Sequence, residues 1–257
     1  MAIYNHAMHS AGKITAYLLL AGAILLGGIS LVLFGAFVYA GSIELVPLGL
    51  ATGTALALDA ALCLVFFAQH SGMVRRPFQQ RVLAALPAPY RPAVYAIASG
   101  VALFVFLAFW QRSDIVLYSA QGPVRWLLRG VFAAAVIGLA WALVTLKHLD
   151  ALGVHALLRH LRGRETRALP LAIRGPYRWV RHPLYFLVLV LIWTCPDVTL
   201  DRLLFAVLWS AWIVAGTLLE ERDLAAEFGD SYRAYQRAVP MLIPWHAPRW
   251  PDTNGDA

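Results

Sequence analysis

Two groups of polar residues stand out in a chain that is otherwise apolar. The first is RGPYRWVRHPLY, Arg174 to Tyr185, followed further on by the pair Glu220 and Glu221. Gly175-Pro176 marks a turn, and Pro183 suits the first position of a helix. Arg174, Arg178, Arg181 and His182 therefore gather at a helix N-terminus, where unsatisfied N–H groups and the positive dipole end already favour an anion. Glu220 and Glu221 close a later apolar run, which is expected to bring them back to the same membrane face, and Gly229 is expected to stop that helix. Neighbouring helical positions diverge by about 100°, so one glutamate can face a ligand while the other faces a protein neighbour. Cations and carboxylates at one end of a hairpin suit a zwitterionic guest with a carboxylate, an ammonium and hydroxyls. On charge alone, such arginines would equally enforce topology and bind lipid headgroups.

The second group is smaller. His70 lies at the end of the second apolar run, between Gln69 and Ser71, and Asp59 interrupts that run about three turns earlier. On a helix, Asp59, Cys63, Phe66 and His70 share a face, with Asp59 and His70 about 16 Å apart along the axis. The two cannot touch, but they could line one cavity. A carboxyl inside a membrane is a functional candidate by default, the alternative being a hydrogen-bonded bridge between helices. A histidine can titrate near neutral pH and accept a proton from a nucleophile. His70 and Asp59 are thus the candidate catalytic residues.

The elements that must position these groups follow from composition. Of 257 residues, 60% are hydrophobic and 14% charged, and the mean hydropathy is +0.66. A soluble domain is nearer half apolar and a quarter charged, so the chain belongs with membrane proteins. Apolar runs at Ile14 to Ile43, Leu45 to Gln69, Ala93 to Trp110 and Trp126 to Leu146 are long enough to span. Pro183 to Cys195 and Leu203 to Leu219 form a pair read as a helical hairpin, its first arm short. The expectation is an all-α membrane protein of about six transmembrane helices. Residues 1–146 would form the acceptor side, and residues 147–257 would carry the basic loop, the hairpin and the cofactor site.

Of the 21 Lys and Arg residues, only Arg112, Arg125, Arg129 and Arg202 fall in the segments alternate to those holding the rest. The positive-inside rule then places both termini in the cytoplasm of a bacterial inner membrane. The net charge of +7 is explained by this topology, so no nucleic-acid partner is expected. Cys63 and Cys195 have no metal-ligand spacing and read as buried thiols, and His155 and His160 lack further ligands, so no metal is expected. No second half repeats the first, which argues against a transporter.

The order of motifs resembles the family of isoprenylcysteine carboxyl methyltransferases and phospholipid N-methyltransferases. Their pattern G-P-Y-x-x-x-R-H-P-x-Y, then E-E-x-x-L, then F-G-x-x-Y-x-x-Y and a late proline, appears here at Gly175, Pro176, Tyr177, Arg181, His182, Pro183 and Tyr185. It continues at Glu220, Glu221 and Leu224, then at Phe228, Gly229, Tyr232, Tyr235 and Pro240. The resemblance implies an S-adenosyl-L-methionine site in this region, with Gly175, Pro176, Tyr177, Arg181, His182, Tyr185, Glu220 and Glu221 as its residues. FFAQHSGMVRRPF, Phe66 to Phe78, is similar to the Q-H-S-x-M-x-R stretch of bacterial methanethiol S-methyltransferases, as are His148 to Glu165 and Pro240 to Pro244. Two departures are visible. The second loop reads PAPYRPAVY where that branch tends to carry an acidic residue before Arg91. Thr217, Leu218 and Leu219 stand where carboxyl methyltransferases tend to place an arginine ahead of the glutamate pair.

The resemblance implies methyl transfer to a small apolar thiol such as methanethiol, giving dimethyl sulfide, in contact with membrane lipids and with no obligate protein partner. The alternatives are carboxyl methylation of a prenylated cysteine, N-methylation of a lipid amine, and a non-catalytic membrane accessory protein. Transfer from a sulfonium is an in-line displacement in which positioning can supply about 7–11 kcal/mol. The thiol must first lose its proton, so a base is expected near it.

Overall fold

The computed structural model describes residues 13–146, 150–164, 171 and 173–245. His6 and His9, and Lys147 to Leu149, lie outside them. The helices are α1 (Lys13–Ala40), α2 (Thr52–Val74), α3 (Arg76–Arg81), α4 (Arg91–Phe109), α5 (Gly122–Thr145), α6 (Val154–Leu161), α7 (Pro183–Trp193), α8 (Leu200–Phe228) and α9 (Asp230–Ala238). The all-α membrane class is as expected. Among the described residues, five helices are long and apolar enough to cross a bilayer: α1, α2, α4 with its preceding 3-10 turn, α5 and α8. Their outward residues, such as Val32 on α1 and Trp126, Ile137 and Val144 on α5, are large and apolar. That is what lipid tails ask of a helix surface.

The fifth expected span, Pro183 to Cys195, begins at Pro183 as read, ends at Trp193 and is short, as expected. Helix α7 has 11 residues, about 16 Å at 1.5 Å per residue, against a hydrocarbon core of about 30 Å. The chain before it, Gly175–Arg178, is a 3-10 turn followed by irregular backbone. Buried backbone groups outside a helix or sheet must find partners elsewhere in the protein. Here the N–H groups of Arg181 and His182 donate to the carbonyls of Pro240 (2.9 Å) and Met241 (3.1 Å).

Two further boundaries moved. The second span begins at Thr52 rather than Leu45. Pro47 offers no N–H to a helix, and the Gln111 side chain holds the segment open. Gln111 accepts from Leu48 N at 2.9 Å and donates to Val46 O at 3.0 Å and Phe109 O at 2.9 Å. Helix α8 runs past its apolar stretch through Glu220 and Glu221 and stops at Gly229, the expected stop.

The chain divides into two contact units that interleave along the sequence. The first comprises the described residues of Met1–Phe37, Ile43–Gln111 and Asp150–Ala168, and the second those of Val38–Ser42, Arg112–Leu149 and Leu169–Ala257. In the first, α1 meets α4 through small residues. Ala16, Ala23, Ala93 and Ala96 are buried together with Tyr90 and with Leu157 of α6. Small side chains let helix backbones approach where hydrophobic burial offers no drive. A Cβ at Gly100 would lie 2.5 Å from the carbonyl oxygen of Leu26, within a π turn of α1 (Ala23–Gly28). Gly100→Ala is therefore expected to cost about 1–3 kcal/mol through a forced backbone shift. Gly28→Ala, whose Cβ would come no closer than 3.9 Å to a neighbour, is the matched control in detergent melts.

In the second unit, α5 packs along α7, with Leu187 close over Gly138. Two short strands join the loops at one end, β1 (Val116–Ser119) and β2 (Asp197–Thr199), paired antiparallel. Nothing in the sequence had indicated this ladder. Beside it Asp201, fully buried, accepts from Ser113 N at 3.0 Å and from the Ser42 hydroxyl. Arg202, 2% exposed, donates to Val38 O at 2.8 Å and lies over the Phe205 ring. Buried charges survive only with such partners.

Candidate active site

Helices α7, α8 and α9 of the second unit bring the motif residues together. Gly175 sits at φ +54°, and a Cβ there would lie 2.9 Å from Thr145 Oγ1, so glycine is required on both conformational and steric grounds. Pro176 is buried, and its carbonyl takes the N–H groups of Trp179 and Val180, closing the turn. The turn delivers Arg181 and His182 to the start of α7.

Glu221 is the hub. Arg181 donates through Nε to Oε1 at 2.9 Å and through Nη2 to Oε2 at 2.7 Å. Tyr232 donates to Oε1 and Gln236 to Oε2, each at 2.7 Å, and His182 Nε2 lies 2.7 Å from Oε1. Arg181 also donates through Nη1 to Gln236 O at 3.0 Å and to Val239 O. The side chains of Arg181 and Glu221 are each 9% exposed. Of the four cations read from sequence as an anion site, Arg181 and His182 hold the chain's own carboxylate. Arg181 and His182 belong to an internal clasp that fastens α9 and the segment after it to α7 and α8.

Glu220 points elsewhere, as the 100° offset predicts. Its side chain is 42% exposed, it accepts from the Tyr185 hydroxyl at 2.7 Å, and His182 Nδ1 stands 3.8 Å away. The rings of His182 and Tyr185 stack at 5.5 Å with 10° between planes. Tyr235 donates to Tyr177 O, and Tyr232, Tyr235 and Val239 form a small core with Ile173 beneath the site. Burial pushes the phenols of Tyr177, Tyr232 and Tyr235 well up from their ordinary pKa, helped by Glu220 beside Tyr177 and Glu221 beside Tyr232. All three stay protonated hydrogen-bond donors. Sequence reasoning had placed Tyr232 in a motif without a role and had missed Gln236. Their spacing of one helical turn along α9 was the available signal.

In the first unit, Asp59, Cys63 and Phe66, three of the four residues read from spacing as one face of α2, are buried together with Met73, while His70, the fourth, is half-buried. Asp59 is fully buried, and its Oδ1 accepts from Gln111 N at 2.9 Å, just beyond the end of α4. His70 Nε2 lies 2.8 Å from the hydroxyl of Tyr95 on α4, a partner the sequence did not suggest.

A methanethiol S-methyltransferase of Bradyrhizobium diazoefficiens is 31% identical over 264 residues, covering 95% of this chain and 90% of that protein. The chain belongs to the methanethiol S-methyltransferase family. The enzyme of that name from Pseudomonas deceptionensis is 34% identical over 74% of this chain and 73% of its own. A more distant relative, Nurim of Danio rerio, is 26% identical over 66% of this chain and 65% of its own. No protein-family model matches the chain, and no solved structure does.

Family membership makes this an integral membrane methyltransferase and implies a methyl donor. The residues present fit a polar, partly cationic one. Glu220 retains an exposed carboxylate edge, and the buried Tyr177 hydroxyl has no hydrogen-bond partner among the described residues. A buried hydroxyl left in that state is costly unless a ligand completes it. No group of three or more His, Cys, Asp or Glu residues placed to hold a metal occurs among the described residues.

Proposed function

We propose that the protein transfers a methyl group from S-adenosyl-L-methionine to a small apolar thiol, methanethiol, giving dimethyl sulfide. The observation that carries this reading is the 31% identity to a methanethiol S-methyltransferase along 95% of the chain, which embraces the clasp and the α2 face together. When bound, S-adenosyl-L-methionine supplies a methyl group on a positively charged sulfur. Residues 147–257 hold the donor. Glu220, Tyr185 and the Tyr177 hydroxyl offer it hydrogen bonds, while Gly175, Pro176, Arg181, His182 and Glu221 keep that surface in shape. The helices within residues 1–146 serve the acceptor. His70 takes the thiol proton as general base. Asp59 caps the chain beyond α4 through Gln111 N and acts structurally. By the charge asymmetry of its loops, the protein lies in a bacterial inner membrane with both termini cytoplasmic.

The purified protein in detergent, given methyl-labelled donor and a panel of acceptors, is expected to label methanethiol. Asp59→Asn should retain that transfer at a reduced melting temperature. Labelling of a prenylated cysteine or a lipid amine with none of any thiol would overturn the reading. Absence of calorimetric binding of the demethylated donor, S-adenosylhomocysteine, would favour a non-catalytic accessory role.

A further inference from the structure

We propose that residues 241–245 return to the membrane after α9 and, with Trp179, form an interfacial anchor that seats the clasp among phospholipid headgroups. Helix α8 sets the depth scale. From Leu200 to Glu221 it rises about 31 Å at 1.5 Å per residue, which matches a hydrocarbon core of about 30 Å. Glu221 and its partners Arg181 and His182, at the start of α7, therefore lie near one edge of that core. Beyond this edge the chain is dressed for water. Arg222, Asp223 and Glu227 on α8 are exposed, as are Asp230, Arg233 and Arg237 on α9. Helix α9 turns back, since Tyr232 and Gln236 both reach Glu221. The chain regains the level of the α7 start at Pro240 and Met241, whose carbonyls accept from Arg181 N and His182 N.

At that level the outward side chains change character. Leu242 is buried, but Ile243 is 61% and Trp245 68% exposed, and Trp179, on the chain leading to Arg181, is 48% exposed. Water disfavours apolar surface of this size. The edge of a bilayer accepts it, and an indole ring with its N–H suits the headgroup zone. The backbone of the tip fits the same depth. Trp245 N donates to Ile243 O at 3.0 Å, and Pro244 has no N–H, so few bare donors meet the lipid. Arg174 and Arg178, half-buried around the Gly175-Pro176 turn, bring cations to the depth of lipid phosphates. Immediately beneath this level the exposed residues of α8, Val214, Leu218 and Leu219, already face lipid, so the bilayer is the occupant that continues without a break onto the anchor.

The test uses the full chain in phosphatidylcholine vesicles. A nitroxide on Ile243→Cys should favour collisions with dissolved oxygen over those with a water-soluble nickel chelate, about 3-fold or more relative to the same label on Arg233→Cys. The Arg233 side chain is 61% exposed on α9 and serves as the water reference. Wild-type chain taken through the same labelling gives the background from Cys63 and Cys195, which are buried. The fluorescence that Trp179→Phe removes should be quenched by lipid brominated near the headgroup end of its chains and spared by aqueous iodide. Both positions are exposed, so both variants should keep the wild-type melting temperature. A label at position 243 as open to the nickel chelate as the one at 233 would overturn the proposal. So would a label closed to both collision partners, which would put protein over this surface, and so would Trp179 emission quenched by iodide alone.

Discussion

Glu221→Ala is expected to lower the unfolding free energy in detergent by about 3–5 kcal/mol and to abolish binding of S-adenosylhomocysteine. The carboxylate is 9% exposed and receives Arg181 at two atoms, Tyr232, Gln236 and His182. Its removal strands a buried guanidinium and leaves a phenol, an amide and an imidazole without their acceptor. Gross attraction between the charges is not what is lost, because a buried pair roughly balances its own desolvation. The cost lies in the uncompensated partners. Arg181→Met combined with Glu221→Leu should for that reason be more stable than Glu221→Ala, while still failing to bind. Denaturant melts and calorimetry measure the two effects separately. A Glu221→Ala protein that melts as wild type would show that the clasp does not hold these helices together.

Glu220→Gln is expected to do the reverse. Its carboxylate is 42% exposed and has Tyr185 as its close partner, so stability should change by less than about 1 kcal/mol. A charged hydrogen bond to a ligand contributes about 1.5–3 kcal/mol, so affinity for S-adenosylhomocysteine should fall about 10- to 100-fold. Tyr185→Phe, which frees the carboxylate but leaves its charge, should weaken binding less. Equal losses of stability in Glu220→Gln and Glu221→Ala would contradict the separation of the adjacent glutamates into a ligand-facing and an internal residue.

That separation was legible in the sequence, since helical geometry alone sends adjacent side chains to different neighbours. Which glutamate goes where was not. It depends on Arg181, Tyr232 and Gln236, which approach from 40 residues before and from 11 and 15 residues after Glu221. The buried face of α2 was equally legible from the spacing of Asp59, Cys63 and Phe66, yet the partners on that face, Gln111 and Tyr95, lie on or just beyond another helix.

What the sequence determined by itself was local: apolar runs of spanning length, the turn at Gly175-Pro176, the stop at Gly229, and the order of motifs that places the chain among methyltransferases. Each depends on a few consecutive residues and on a solvent, the bilayer, that imposes simple length and polarity rules. Only the tertiary structure decided how the chain before α7 is satisfied, with the N–H groups of Arg181 and His182 donating to the carbonyls of Pro240 and Met241. It alone decided that Arg181, out of the cluster of cations, closes on Glu221. Hydrogen-bond partners distant in sequence leave no periodicity to read, and the desolvation that compels them exists only once the helices have met.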